Sequence, residues 1–410
     1  MPSQRLYQQD SYLSSFESRV CEVQAVADAS EQYWLRLEAS AFYPTAGGQP
    51  HDTGWLEHQG LRLQVLEVAN RSGDVWHRVQ GALPELGQVW QGSVDWPRRY
   101  RHMQRHSGQH LLSQAFLRLS PAYETRSVSL SSAQCSLDLA GDPDDDALQA
   151  AETEANAAAY RGLAIRSFEV DEADISRYPL RRPPKVSGRI RLVQMGDWEV
   201  SACGGTHLRS SNEAAPIKVL RSERIKGSLV RVYFVCGWEA QGDYRAKHAL
   251  SSYLIEQFSA QLEDIPERLE ALQAQLRTAQ TQLEAAQLAR AQLLAAQLSH
   301  EASDAANPAT SANIVSHQLA EEDSVLRQPL AQALQGRGCI ALLGCCSDGK
   351  AQLLFAAPEG RGDMAALLRQ VLPHIQGRGG GKATLAQGGG SHCEGLATAL
   401  QQAQQRCLLL

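Results

Sequence analysis

The 410-residue chain has no apolar run near the 18 or so residues a membrane span requires. No apolar core follows Met1-Pro2-Ser3-Gln4-Arg5, so nothing there resembles a secretory leader. The chain also lacks a basic excess: 39 Lys and Arg stand against 45 Asp and Glu, a net charge of −6. That balance excludes non-specific nucleic-acid binding over the whole surface, although a few clustered cations can still make a local positive face. A disulfide framework is missing too. Cys21, Cys135, Cys203, Cys236, Cys339, Cys345, Cys346, Cys393 and Cys407 are odd in number and irregularly spaced. These absences predict a cytoplasmic chain with reduced thiols and no membrane partner. In such a chain a regular Cys/His spacing signals metal or catalysis.

What is present divides along the chain. At roughly 150 residues per domain, the length predicts two or three domains. Residues 1–97 alternate apolar and polar residues in short stretches, such as Tyr33–Glu38 and Leu61–Leu66, broken by Gly, Pro and Asn. That is the period of a small β-barrel or curled sheet. In 98–245 the pattern becomes mixed. Leu111, Leu112, Ala115, Phe116 and Leu119 recur at helical spacing, 145–162 reads as a second helix, and Ile190–Val193 and Val230–Val235 read as strands. An α+β fold follows for this part.

Residues 246–305 form a helical arm. Leu262, Ile265, Leu269, Leu272, Leu276, Ala279, Leu283, Ala286, Arg290 and Leu293 alternate steps of three and four, a heptad seam with Pro266 near the helix start. It suits a coiled coil between two copies and an arm or hairpin within one copy equally well. Residues 301–313 have linker composition. The last segment, 306–410, reads as α/β. Its buried strands are Cys339–Leu343 and Gln352–Ala356, and its helices are Met364–Leu372 and Cys393–Cys407. A glycine-rich loop spans 377–390.

The chemistry concentrates in two pairs. His106 and His110 are four apart, which on a helix places both on one face. Cys203 and His207 repeat that spacing about a hundred residues later, with Gly204 and Gly205 between them. One N/N pair and one S/N pair make a four-donor set suited to tetrahedral zinc. Four protein ligands are also the mark of a closed structural site, so a structural zinc stays open here. A zinc peptidase of the His-Glu-x-x-His type does not fit, because Gln109 precedes His110 and the motif carries no Glu base. The late glycine-rich segment is not a P-loop, because it lacks the Gly-Lys-Ser/Thr ending.

Four motifs stand in order: Phe42-Tyr43-Pro44-Thr45-Ala46-Gly47-Gly48-Gln49-Pro50, His106-Ser107-Gly108-Gln109-His110, Cys203-Gly204-Gly205-Thr206-His207, and the late glycine-rich segment. Their combination resembles the editing region of alanyl-tRNA synthetases and its free-standing relatives, the AlaX proteins. The last segment resembles the DHHA1 domain of the synthetase and of the long AlaX form. No synthetase core precedes the editing region, so the resemblance implies a stand-alone editor of the long type. Ala46 stands where the family pattern has Gly, and Asn212-Glu213-Ala214-Ala215 replaces a more usual Gly-Glu-Ile-Gly.

The resemblance implies hydrolysis of Ser, with Gly as a second candidate, wrongly esterified to the alanine-accepting tRNA, while Ala is spared. It carries the zinc ligands onto His106, His110, Cys203 and His207. It makes Gly47, Gly48, Gln49 and Gln109 candidate substrate neighbours, and Thr45 the candidate sensor of the serine hydroxyl. Backbone N–H groups of Gly204 and Gly205 are the expected oxyanion hole. Zinc either activates water or organises the substrate. The ligand count of four favours the second role, with water attacking beside a ribose hydroxyl. Arg98, Arg99, Arg101, Arg181, Arg182 and Lys185 near the site, and Arg378 and Lys382 in the glycine-rich loop, are the candidate RNA cations. No ATP is required, and a homodimer through the arm or last segment is expected. The competing reading is a non-catalytic tRNA-binding module with a structural zinc.

Overall fold

The computed structural model describes every residue except 1, 28, 132–133, 185, 226, 228, 305–312 and 409–410. Two compact units follow one another, Met1–Tyr253 and Leu254–Leu410.

Unit one starts with Ser15–Ala25 (β1), Gln32–Leu37 (β2), Gly54–His58 (β3), Leu61–Arg71 (β4), Asp74–Gln80 (β5) and Val89–Val94 (β6). These strands close into an antiparallel barrel in the order β1-β2-β5-β4-β3-β6. Alternation drives it: along β1, Phe16, Ser18 and Val20 turn inward while their neighbours face water. Leu35, Leu37, Leu56, Leu63, Val65, Val79 and Trp90 complete the interior.

Asp95 then caps a long helix, Trp96–Leu119 (α1), by accepting the Arg98 backbone N–H, and Pro97 sits in its first turn. This helix is not amphipathic in the usual way. It is buried on nearly all sides from His102 to Ser113, polar residues included. Gly108 lets it approach the sheet below, since a β-carbon there would lie 2.8 Å from Cys236 Sγ.

Downstream come Thr125–Ser129 (β7), Cys135–Leu139 (β8), Asp145–Tyr160 (α2), Ile165–Asp171 (β9), Arg189–Met195 (β10), Glu199–Ala202 (β11), Ile217–Ile225 (β12) and Leu229–Cys236 (β13), then the helix Trp238–Phe258 (α3). One antiparallel sheet runs β12-β13-β8-β7 and a second runs β9-β10-β11. Met103, Leu111, Leu112 and Phe116 of α1 share one core with Leu137, Val232 and Phe234 of the first sheet and the alanine face of α2. The expected barrel and α+β organisation are therefore present.

A buried ion pair docks α1 on the barrel. Arg99 and Asp52 are both fully buried. Arg99 Nε donates to Asp52 Oδ2 at 2.9 Å, Nη1 to the Ser11 carbonyl at 2.8 Å, and Nη2 to Asp52 and the Ala41 carbonyl. Asp52 Oδ2 also accepts the Tyr43 N–H at 2.6 Å.

Unit two contains Ile265–Asp304 (α4), Ile314–Leu319 (β14), Arg327–Gly336 (α5), Ile340–Ser347 (β15), Lys350–Ala356 (β16), Met364–Val371 (α6), Gly377–Lys382 (β17), Leu385–Gly390 (β18) and Leu396–Cys407 (α7). Its sheet runs β14-β15-β16-β18-β17, with β14 and β15 parallel and the rest antiparallel.

Four expectations change here. The glycine-rich 377–390 segment is not a loop but the hairpin β17–β18. Its glycines serve close packing: a β-carbon on Gly379 would lie 2.4 Å from Gly388 Cα, and one on Gly390 1.9 Å from the Ile375 carbonyl oxygen. The heptad seam is not the face α4 buries within the unit. Leu269, Leu272, Leu276, Leu283 and Leu293 are exposed, whereas Ala291, Ala295 and Leu298 pack against α5 and the sheet. The linker assigned to 301–313 is helical as far as Asp304, and its residues 305–312 lie outside the described residues. Finally, Cys346 and Cys393 are bonded, with their Cα atoms 5.9 Å apart, where reduced thiols were expected throughout. Among the described residues no helix is long and apolar enough to cross a membrane.

Replacing Arg99 with Met strands the Asp52 carboxylate without its partner. The expected loss is about 3–5 kcal/mol of unfolding free energy. Urea unfolding of the variant measures this, and a loss under about 1 kcal/mol would show the pair is dispensable.

Candidate metal centre

His106 and His110 lie one turn apart on α1, and Cys203 and His207 lie in the loop after β11. Their donor atoms all fall within 4.8 Å of one another. Cys203 Sγ is 3.4 Å from His106 Nε2 and 3.2 Å from His207 Nε2. Donors around a tetrahedral zinc, with bonds of about 2.0–2.3 Å, stand roughly 3.3–3.7 Å apart. The two Cys203 distances lie close to that spacing, and the chemistry of the four donors suits the ion.

Each imidazole is also held from behind. Gln49 Oε1 is 2.8 Å from His106 Nδ1. Glu199 Oε1 and Ser201 Oγ lie 3.0 and 3.1 Å from His110 Nδ1. Ser107 Oγ is 3.2 Å from His207 Nδ1. With Nδ1 engaged outward, Nε2 is the atom each ring offers to the centre. Such outer partners fix ring orientation and tautomer at metal sites.

The loops are shaped to the same end. Ala46 and Gln49 exchange backbone hydrogen bonds at 3.1 and 2.9 Å around a tight turn. Gly47 and Gly48 hold it with φ of +57° and +84°, a left-handed conformation that favours glycine. The Gln49 amide then donates to Thr206 Oγ1 at 2.8 Å. A β-carbon on Gly205 would lie 2.1 Å from His106 Cε1, so only glycine leaves room for that ring. Arg191 Nη1 ties the loop down by donating to the Cys203 and Gly205 carbonyls at 2.8 and 3.0 Å. The unusual Asn212–Ala215 segment is well anchored. Glu213 closes a capping box with Ser210 and accepts the hydroxyls of Tyr12 and Tyr100 at 2.6 and 2.9 Å.

Charge is arranged around the set. Burial opposes ionisation of Cys203, but His106 and His207 outweigh it and hold the thiol well below its ordinary range. Burial, and then the neighbouring His106, push His207 down to about 3. Burial also opposes a charged His110, yet Glu199 raises it to about 9. Glu199 itself, buried but facing Arg181 and His110, is lowered to about 2. A thiolate and a neutral imidazole are the forms in which Cys203 and His207 bind metal.

Several residues singled out from sequence land elsewhere. Gln49 reaches His106 and is fully buried, so it orients a ligand rather than lying open beside the site. Gln109 is buried and donates to Ser113 Oγ at 2.8 Å, within a chain that continues to Thr125. The Gly205 N–H points at Cys203 Sγ, 3.5 Å away, which removes it from an oxyanion pair; Gly204 is exposed. Thr45 is exposed, and its hydroxyl accepts the His51 N–H at 3.1 Å and faces His51 Nδ1.

The cations divide as well. Arg99 and Arg181 cannot meet RNA phosphates: the first is buried against Asp52, the second against Glu199 at 3.2 Å. Arg98 and Arg182 are half-buried and donate to the His51 and Thr125 carbonyls. Arg101, Arg378 and Lys382 are exposed, and Lys185 lies outside the described residues. Sequence reading missed Ser107, Glu199 and Ser201. Glu199 and Ser201 carried a faint signal, as alternate polar residues on a strand leading into Cys203.

Residues 190–233, which include Cys203 and His207, match the family described as threonyl and alanyl tRNA synthetase second additional domain. The alanyl-tRNA editing protein AlaX-L of Pyrococcus horikoshii is 31% identical over 241 residues, 58% of this chain and 59% of that protein. The chain resembles the AlaX alanyl-tRNA editing proteins. It is also 32% identical over 305 residues to the alanine–tRNA ligase of Pyrococcus furiosus, covering 72% of this chain and 32% of the ligase. The ligase of Pyrobaculum neutrophilum is 31% identical over 411 residues, 94% of this chain and 42% of the ligase. The chain thus spans about three-fifths of AlaX-L and a third to two-fifths of these ligases.

Gln49→Leu keeps the bulk of the side chain but removes the acceptor behind His106. Zinc affinity is expected to fall about 10- to 100-fold. Competition with a chromophoric chelator reads this out, and unchanged affinity would remove Gln49 from the orienting role.

Proposed function

We propose that this chain is a zinc-dependent aminoacyl-tRNA deacylase that removes Ser, and secondarily Gly, from the alanine-accepting tRNA and spares Ala. The observation that carries this reading is the ligand group itself: three imidazoles fixed through Nδ1, converging with a thiolate, on a chain similar to an alanyl-tRNA editing protein. His106, His110, Cys203 and His207 would hold zinc, which would supply a Lewis-acidic positive centre. The reaction adds water to the carbonyl carbon and breaks the bond to the ribose oxygen. That oxygen leaves with a proton, and the amino acid departs as its carboxylate. The ester is already activated, so no ATP is consumed.

With four protein ligands, organisation of the substrate is the favoured role of the centre. The same ligand count supports the competing reading, a tRNA-binding module with structural zinc. The segments 1–97, 98–245, 246–305 and 306–410 serve as barrel, editing, arm and DHHA1-like parts of a cytoplasmic protein. Arg98, Arg101, Arg182, Lys185, Arg378 and Lys382 are the cations left to contact tRNA. The exposed leucines of α4 support a homodimer through the arm.

Zinc-loaded protein is expected to deacylate Ser-tRNA, and His106→Ala or Cys203→Ala to abolish hydrolysis while tRNA binding survives. Full activity in a variant shown to be metal-free sinks the reading. Absence of hydrolysis by the loaded wild type favours the binding module.

Selectivity is assigned to Thr45, because a site built to bond a hydroxyl discriminates strongly against an analogue lacking it. Thr45→Val is expected to collapse the preference for Ser-tRNA over Ala-tRNA. An unchanged ratio of kcat/KM values would mean that the hydroxyl only staples the loop through His51.

A further inference from the structure

His102 lies one turn before His106 on α1 and is only 5% exposed, the same depth as the ligands His106, His110 and His207 at 4–5%. Every ligand histidine has its Nδ1 partnered. Neither ring nitrogen of His102 has a hydrogen-bond partner among the described residues. An unpaired buried polar group costs about 1–3 kcal/mol, and native structures rarely carry one without a reason. His77 shows how this chain treats a structural histidine. It is fully buried, but Nε2 meets Ser40 Oγ at 2.7 Å and Nδ1 meets the Leu35 carbonyl at 3.1 Å.

The direction His102 faces follows from its helix neighbours. Four residues earlier, Arg98 Nε donates to the His51 carbonyl at 3.0 Å, and four residues later His106 Nδ1 meets Gln49 Oε1. Residues at i−4 and i+4 share a helix face, so His102 also faces the Gln49–His51 segment beside the metal centre. Burial, with Arg98, Arg105 and Arg101 adding to it, keeps its ring neutral by pressing its pKa down to about 3. A neutral imidazole offers one donor and one acceptor, the complement of a hydroxyl.

We propose that His102 is a substrate-binding residue that takes the vicinal hydroxyl of the terminal ribose, one helical turn from the metal ligands. This rests on the aminoacyl-tRNA reading above. The local charge selects which end of the ester lies here. Arg105 is paired with Glu239, so Arg98 and the exposed Arg101 carry the local positive charge, which repels the α-ammonium of the amino acid and attracts the nucleotide end with its phosphate.

The test uses zinc-loaded full-length protein as wild type, His102→Leu and His102→Asn. The first readout is binding of a non-hydrolysable 3′-seryl-amide of adenosine, compared with its 2′-deoxy counterpart. Wild type is expected to prefer the ribo form about tenfold, His102→Leu to lose that preference, and His102→Asn to recover part of it. His102→Leu should keep one zinc per chain and an unchanged or raised Tm, since an apolar side chain replaces an unpaired polar one. On Ser-tRNA its KM should rise more than its kcat falls. A preference that survives in His102→Leu, a lowered Tm or lost zinc overturns the assignment in favour of a packing role. Because binding is read without turnover, an inactive wild type that still shows the His102-dependent preference defeats the deacylase reading alone. An active wild type without that preference defeats this inference alone.

Discussion

A charge with no route to water sets the constraints on unit one. Arg99 is wholly buried, so its guanidinium must be neutralised and its donors filled within the protein. Asp52 and the Ser11 and Ala41 carbonyls do this, and they clamp the first turns of α1 to the barrel. His106 stands seven residues, two turns, beyond Arg99. Gln49 stands three residues before Asp52. One interaction that satisfies a buried charge therefore also sets the register in which Gln49 meets His106.

The same logic extends along α1. Gln104, Arg105 and His110 are buried with His106, and their partners come from distant parts of the chain: the Glu213 carbonyl, Glu239 and Glu199. The barrel is joined to the part that follows it by Arg99 with Asp52 and by Gln49 with His106 and Thr206, polar contacts that hold one arrangement. A greasy interface tolerates sliding and repacking, whereas a network of buried hydrogen bonds does not. Imidazole rings held in this way would lose little freedom on binding an ion.

Where the signal was local, the sequence could be read. The barrel showed as period-two alternation, and the ligand pairs showed because i, i+4 spacing on a helix is a property of the helix alone. Long-range facts were misread. Arg99 and Arg181 looked like RNA cations because a formal charge says nothing of the carboxylate that will bury it. The glycine hairpin looked like a loop because glycine is poor in strands unless neighbouring backbone crowds out a β-carbon, as at Gly379 and Gly390. For α4 the sequence left a coiled coil between copies and an arm within one copy equally open; within the unit the helix buries its alanine face, where small side chains allow close approach to α5, and leaves the leucine seam exposed.

The four-donor set of His106, His110, Cys203 and His207 was determined by sequence alone, since it depends on residue type and short spacing. Which atoms those residues present, and what holds them, was decided only in the tertiary structure. Gln49, Ser107, Glu199 and Arg191 act across gaps that no local period records, and a hydrogen bond exists only once the fold has brought both partners within reach. The unpaired ring of His102 belongs to the same class. Its position was written in the chain, but that neither of its ring nitrogens finds a partner among the described residues became visible only in the folded structure.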